Sequence, residues 1–489
     1  MGYLDNENLL DYLSKNDFVG AFHNADQVGL EKFVMYVIRD YIAREKKNIE
    51  IYEHDFMFDA ILPNGIGDIS EPAYFEIVTQ KIDIKKYISG LVWKFNHMPF
   101  RNITRVFFVY LDTIDHETQN LIAGLKSESL SIDYWDVHDF NNKTNDIWSK
   151  YSKYLTMAHK AVIEDAVQTG IDNRYILSND VHKRVLIKSY NDENLVLVFG
   201  AGVSIDANIP KWDDLVKQLL VRMINVVLRE KNEELSDSNV QKLIELAYGN
   251  MEGSQLAQMR YIKSALSETQ YFDLLHDVLY EDTESVTDLL ESIARICMPR
   301  RRHIGVKSII TYNFDDLVER ALTRHNVRHA SIVSDEDVPA LANLNIYHVH
   351  GYMPYERLDT VFDTNIVFSE EDYHRVYRDA YCWSNIVQLN AFRENTCLFI
   401  GCSFNDPNMR RMLDIATRKG DKPRHFAMLR RKQYTTQEAD NESNDALEMF
   451  KRIDLSITDE YFKTLGINVI WVDAYSDIPE LLNEMVEAR

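Results

Sequence analysis

Apolar residues recur at i, i+3, i+4 and i+7 over residues 27–44 (QVGLEKFVMYVIRDYIAR), a period that predicts an amphipathic helix. The pattern then changes. FMFDAIL (56–62) and PAYFEIVTQ (72–80) flank the turn-rich PNGIGD, which predicts a β-hairpin. A helix over 82–95, a buried strand RVFFVYL (105–111), a helix over 118–126 and a strand SIDYWDV (131–137) complete a first unit. Residues 145–170 read as helical and bridge to a second unit, which opens on the apolar run of Leu195–Phe199. A long helical stretch, about 212 to 300, separates that run from the next strand and ends in the basic cluster Arg300, Arg301 and Arg302. From there, short strands alternate with helices: KSIITYN, NIYHVH, TCLFIGCS, RHFAML and INVIWVD are the strands. Strands that are apolar throughout and alternate with helices predict a parallel sheet covered on both faces.

The domain boundaries follow: 1–150, a helical linker at 151–190, and 191–489 with an insertion at about 212–300. A chain of 489 residues exceeds what one hydrophobic core serves, which agrees with that division. The net charge of −23 repels phosphate backbones at long range, so nucleic acid is not an expected partner. Four cysteines without a C-x-x-C pair argue against a disulfide framework and against a four-Cys zinc module. The N-terminal stretch lacks a signal-peptide pattern, and no apolar run approaches the ~20 residues of a membrane span, so a cytoplasmic protein without a membrane partner is expected.

The most informative segment is VLVFGAGVSIDANIP (196–210). Glycines after a buried strand let the backbone approach a diphosphate, and free N–H groups at a helix start bind anions. A tight strand-to-helix turn without a ligand is the other reading of Gly-x-Gly alone. The dinucleotide fingerprint of hydride-transfer enzymes fails here. Ile205 occupies its third glycine position, and no second strand supplies an acidic residue ~20 positions on.

The segment instead resembles the sirtuin family, in which Gly-Ala-Gly-x-Ser is followed by a small-residue stretch and Ile-Pro. Gly200, Ala201, Gly202, Ser204, Ile209 and Pro210 match, and Asn208 stands where the family has glycine. Three further segments are similar in the family's order: IITYNFDD (309–316), YHVHG (347–351) and LFIGCSFNDPN (398–408). The resemblance covers roughly 190–475. It implies an α/β fold with a Rossmann-like parallel sheet of the sirtuin type, here carrying a helical insertion. It implies NAD as substrate, with Asn313 and His350 as the catalytic pair. Gly200, Ala201, Gly202, Ser204, Asp315, Gly401, Ser403 and Asn408 would line the dinucleotide cleft.

The chemistry suits such a pair. Loss of nicotinamide passes through an oxocarbenium-like state with a leaving group that is already cationic, so a ribose-holding group and a base matter more than an acid. Capping of the following helix is the other reading for Asn313 and Asp315, and a core histidine the other reading for His350. His348 reads as structural, Asp406 as a helix N-cap ahead of Pro407, and Trp212 as packing against the cleft.

Sirtuin deacylases carry a zinc module of two Cys pairs, which this chain cannot build. The helical insertion and the extra N-terminal domain resemble instead the sirtuin-like effectors of bacterial antiphage systems, the Thoeris effector type. NAD hydrolysis is therefore expected, with no zinc and no metal requirement, in a triggered homo-oligomer with a phage-derived trigger or a partner defence protein. A zinc-free deacylase, an ADP-ribosyltransferase and a non-catalytic NAD or ADP-ribose sensor are the rivals.

The N-terminal order of elements is similar to the restriction-endonuclease core with its PD-(D/E)xK site. Asp59 and Glu76 fall at its carboxylate positions. Val78 replaces the lysine, Gln80 follows on the same face, and Lys81 falls on the other. That resemblance implies a nuclease-like α/β scaffold that serves sensing or assembly.

Overall fold

The structure, a computed structural model, describes residues 24–487 except 52–57, 80–82, 97–102, 126–129, 157, 231–235, 237, 240–241, 243–244, 246–254, 284–285, 300–304, 338, 340–343, 358–365, 380, 418–422 and 435–440. The basic cluster 300–302 and residues Gln80 and Lys81 lie outside the described residues. The chain divides into two compact units. One comprises 1–185, 417–424 and 432–468; the other comprises 186–416, 425–431 and 469–489.

The first unit holds a sheet of five strands, Glu50–Ile51 (β1), Ala60–Leu62 (β2), Ala73–Val78 (β3), Arg105–Tyr110 (β4) and Ser131–Trp135 (β5), lying side by side in chain order. The hairpin is present, with β2 antiparallel to β3, while β3-β4-β5 run parallel. The two faces feed two separate cores, as a period of two requires. Phe75, Phe107 and Val109 pack with Phe33, Val34, Val37 and Ile38 of the helix Asn24–Arg44. Tyr74, Val78, Val106 and Phe108 pack instead with Ile88, Leu91 and Ile122 of the helices Ile84–Asn96 and His116–Gly124.

Glu76 falls on that second face and is buried, close to the buried Tyr87 hydroxyl, whose pKa is raised by burial and then by Glu76. Asp59 is committed to the hairpin, accepting the Ile77 N–H at 2.6 Å. Val78 is buried in the apolar core. Among the described residues no group of three or more His, Cys, Asp or Glu side chains converges as a metal site.

The helix Asn441–Thr464 falls with the first unit, although sequence alone groups everything after 191 together. It lies against the helix Ala158–Ile171 so closely that a Cβ on Gly170 would come within 2.7 Å of the Ile453 backbone. Glu460 locks the arrangement. It is buried and pairs with Lys463 at 3.0 Å and Lys32 at 3.4 Å, and Lys32 also meets Asp165 at 3.1 Å. Burial alone would raise its pKa, but the two ammonium groups prevail and hold it at about 2 against an ordinary 4.5.

The second unit holds a parallel sheet of seven strands: Leu195–Phe199 (β6), Val306–Thr311 (β7), His329–Ile332 (β8), Leu344–His348 (β9), Thr396–Ile400 (β10), His425–Arg430 (β11) and Ile467–Val472 (β12). Their order across the sheet is β12-β11-β10-β6-β7-β9-β8. Every side chain of β6 and β10 is buried, as a sheet covered on both faces demands. The described residues between β6 and β7 form the helices Trp212–Glu230, Gln255–Ser264, Glu268–Tyr280 and Asp288–Ile296, so the insertion is helical. After β6 the chain builds β7, β8 and β9 on one side, then returns to place β10 on the other. That reversal makes the carboxyl ends of β6 and β10 a topological switch point, where open α/β sheets form crevices. No helix among the described residues is long and apolar enough to cross a membrane.

The Glu460 network predicts an acid-sensitive first unit. A carboxylate with a lowered folded pKa stabilises above its unfolded value and loses that contribution as pH falls through the folded one. The shift corresponds to roughly 3 kcal/mol, present above pH 4.5 and fading towards 2. Denaturation midpoints of wild type and Glu460→Gln, followed by circular dichroism, should differ most at pH 7 and converge below pH 4.5. A gap that stays constant with pH contradicts this.

Candidate active site

Three glycines interlock at the switch point. β6 runs into Gly200, then two short 3-10 turns cover Ala201–Val203 and Ile205–Ala207. The Gly200 N–H donates to Ile400 O at 3.1 Å and the Gly202 N–H to Gly401 O at 2.9 Å. A Cβ on Gly202 would sit 2.5 Å from Gly401 Cα, and one on Gly401 would sit 2.5 Å from Val203 N. Gly401 also has φ +68°, a conformation that side chains disfavour. These glycines thus serve first to bring two backbones together. Ala201, exposed beside them, has an N–H with no partner among the described residues. Asn208 closes the second turn in the left-handed region, φ +63°, which asparagine tolerates in place of glycine.

The turn delivers Ser204, fully buried, to the end of β7. Its hydroxyl donates to Asp315 Oδ2 at 2.9 Å and accepts from Asn313 Nδ2 at 3.1 Å. One hydroxyl therefore fixes both residues of the Thr-x-Asn-x-Asp segment. Asp315 Oδ1 also accepts the Leu317 N–H at 3.2 Å, tying it to the start of the helix Leu317–Arg324, whose N-cap position is Asp316. The Asn313 side-chain oxygen has no partner among the described residues and is the acceptor left for a ligand or water. Burial raises the Asp315 pKa to about 6, against the pull of Ser204 and the Leu317 N–H.

His350 follows β9, the strand paired with β7, and is buried. Tyr312 and Tyr373 meet its ring edge-on, with centroids at 4.8 and 5.7 Å. Its Nε2 lies 3.6 Å from Asp406 Oδ2. Burial lowers its pKa below the ordinary imidazole value, with Asp406 acting in the opposite sense, so the ring is neutral at pH 7. His348 is a support. Fully buried, it bonds Glu319 through Nε2 at 2.7 Å and faces the Asn313 carbonyl through Nδ1 at 3.3 Å.

The residues named from sequence sit at the carboxyl ends of four adjacent strands, β10-β6-β7-β9. They are not equally available. Ser403 is exposed after β10, its hydroxyl accepting the Asn405 N–H at 3.3 Å. Asn408 is buried, and both ends of its amide are engaged, by Asn385 at 3.1 Å and Arg411 at 2.8 Å. Trp212 packs on Phe368 at 4.4 Å and near Phe314 at 6.5 Å. Sequence reasoning passed over Tyr312 and Tyr373. An aromatic residue beside the Asn313 motif was a visible signal for the first. Nothing local marked the second, which is one of several tyrosines in and around its helix, Glu370–Arg378.

Residues 307–464 match the family model described as a SIR2-like domain. The match begins at β7, so the Gly200–Pro210 turn lies outside it. Among characterised proteins, the chain is similar to the NAD(+) hydrolase ThsA of Enterococcus faecium, 24% identical over 320 residues, which is 62% of this chain and 58% of that protein. The chain thus spans less than two thirds of that relative's length.

The glycine interlock predicts that Gly401→Ala destabilises the second unit by about 2–5 kcal/mol through overpacking and left-handed strain. The apparent thermal midpoint should fall by roughly 5–15 °C. A Gly401→Ala chain that melts with wild type would show that the two turns separate without cost.

Proposed function

We propose that the second unit hydrolyses NAD at the bond between nicotinamide and ribose. The observation that carries this reading is the Ser204 hydroxyl joining Asn313 and Asp315 beside the glycine turn, with a neutral His350 on the next strand. The similarity to an NAD(+) hydrolase supports it. In this reading the free Ala201 N–H and the turn receive the diphosphate. The Asn313 side-chain oxygen holds a ribose hydroxyl or the attacking water. The C1′–nitrogen bond breaks, its electron pair leaves with nicotinamide, and water oxygen bonds C1′. The water proton passes to His350 and on to solvent, giving nicotinamide, ADP-ribose and one proton.

Hydrolysis is favoured over deacylation because the chain has no two Cys pairs for the zinc module of sirtuin deacylases. Asn408 and the exposed Ser403 border the same strand ends, Asn408 as a brace for the helix Pro407–Ala416. The boundaries 1–150, 151–190 and 191–489 describe the sequence order of this machine, with 441–464 returning to the first unit. That first unit, a nuclease-like scaffold, senses or assembles, and the chain acts in the cytoplasm as a triggered homo-oligomeric antiphage effector. An NAD-destroying enzyme requires such control to spare its host.

Purified protein incubated with NAD, or expressing cells after phage infection, should yield nicotinamide and ADP-ribose in equal amounts. Asn313→Ala and His350→Ala should each lower turnover about 10²- to 10⁴-fold. Turnover that survives both substitutions sinks the assignment. The pH dependence is a second check. His350 must be neutral and Asp315 ionised, and both titrate below neutrality, Asp315 at about 6. kcat/KM should be level from pH 7 to 8 and fall as pH drops through about 6; a profile that rises on acidification contradicts the roles.

A further inference from the structure

We infer that Asp406 is a positioning residue for His350, acting with Tyr373 as the acceptor-and-clamp that holds the imidazole and stabilises it once it takes a proton. The kinetic part of this inference rests on the NAD-cleavage reading; the geometric part does not.

Asp406 is used at both oxygens. Oδ1 accepts the Met409 N–H at 2.6 Å and so caps the helix Pro407–Ala416, the role its place before proline suggests. Capping leaves Oδ2 unassigned. That oxygen accepts the Tyr373 hydroxyl and faces His350 Nε2 at 3.6 Å. The separation is too long for a hydrogen bond but within reach of an ion pair, so a small approach would close it. Tyr373 does two things at once: its hydroxyl tethers the carboxylate, and its ring edge meets the imidazole. Tyr312 closes another side of the ring and is itself held by Gln388. The His350 backbone is fixed too, since its carbonyl accepts the Val367 N–H at 2.8 Å.

The consequence is electrostatic. The titratable groups facing His350 are Tyr312 at the end of β7, Tyr373 on its helix and Asp406 at the next helix start, with the Cys402 thiol near Tyr312. Among the described residues only Asp406 offers a counter-charge to an imidazolium in this enclosure. A buried base that accepts a proton without one stores an unpaired charge. A carboxylate beside the ring also fixes which nitrogen bears the hydrogen, leaving Nδ1 as the free base when Nε2–H points to Asp406.

Three substitutions in the full chain separate this role from capping. Asp406→Asn keeps an N-cap and removes the charge. Asp406→Ala removes both. Tyr373→Phe keeps the ring and the carboxylate but frees Oδ2 from its donor. The readout is the titration midpoint of the His350 ring by NMR, its signal identified by loss in His350→Ala. Asp406→Asn should lower the midpoint by about one pH unit, whereas Tyr373→Phe should raise it. In NAD cleavage at pH 7 to 8, kcat should be about tenfold lower in Asp406→Asn and KM little changed. A midpoint that Asp406→Asn leaves in place overturns the inference, as does full activity in Asp406→Asn beside loss in Asp406→Ala, which is the signature of a cap alone. Absence of NAD cleavage in wild type would defeat the cleavage reading and still leave the ring titration to decide the pairing.

Discussion

Contact between two backbones at Gly200, Gly202 and Gly401 is the constraint on which the second unit depends. β6 and β10 can lie side by side to their very ends only if the turns leaving them carry no side chains where they touch. Once they do, the β6 turn is forced across the carboxyl edge of the sheet. It drops Ser204 onto the end of β7, and Ser204 collects Asn313 and Asp315. Without the glycine contact, the serine has no reason to reach the β7 segment. A glycine pattern that suggests phosphate binding is therefore also a packing device, and the two roles are compatible because the Ala201 N–H has no partner among the described residues.

The site concentrates polar groups where burial makes them expensive. Asp315, Glu319, His348 and His350 are all buried. Glu319 shows how the cost is offset: burial would raise its pKa, but the His348 ring and the Ser331 hydroxyl hold it below the ordinary carboxylate range. That pair works as a brace under Asn313. Asp315 and His350 are treated differently. Each retains a shift dominated by burial, and each is poised to change protonation below neutrality. The division separates residues held in one charge state from residues whose charge can change near neutrality.

Much of this was legible from local sequence. Apolar runs ending in Gly, Asn or His located the strand ends, because parallel strands buried on both faces leave polar residues only at their tips. The hairpin at 60–78 and the helical insertion followed from period and turn chemistry. Three features were not legible. Helix 441–464 joins the first unit through Ile453 against Gly170 and Glu460 against Lys32, pairs that lie far apart in the chain. The bonds of the Asn408 amide to Asn385 and Arg411 are not announced by its motif. Tyr373 meets His350 and Asp406 only through the fold, and no spacing in the chain announces that meeting.

The most direct test of the account is to run the reaction in ¹⁸O-labelled water and read the products by mass spectrometry. Hydrolysis at this site predicts one ¹⁸O in the ADP-ribose for every nicotinamide released. Nicotinamide released without labelled ADP-ribose, with the ribosyl group found on another acceptor, would contradict it.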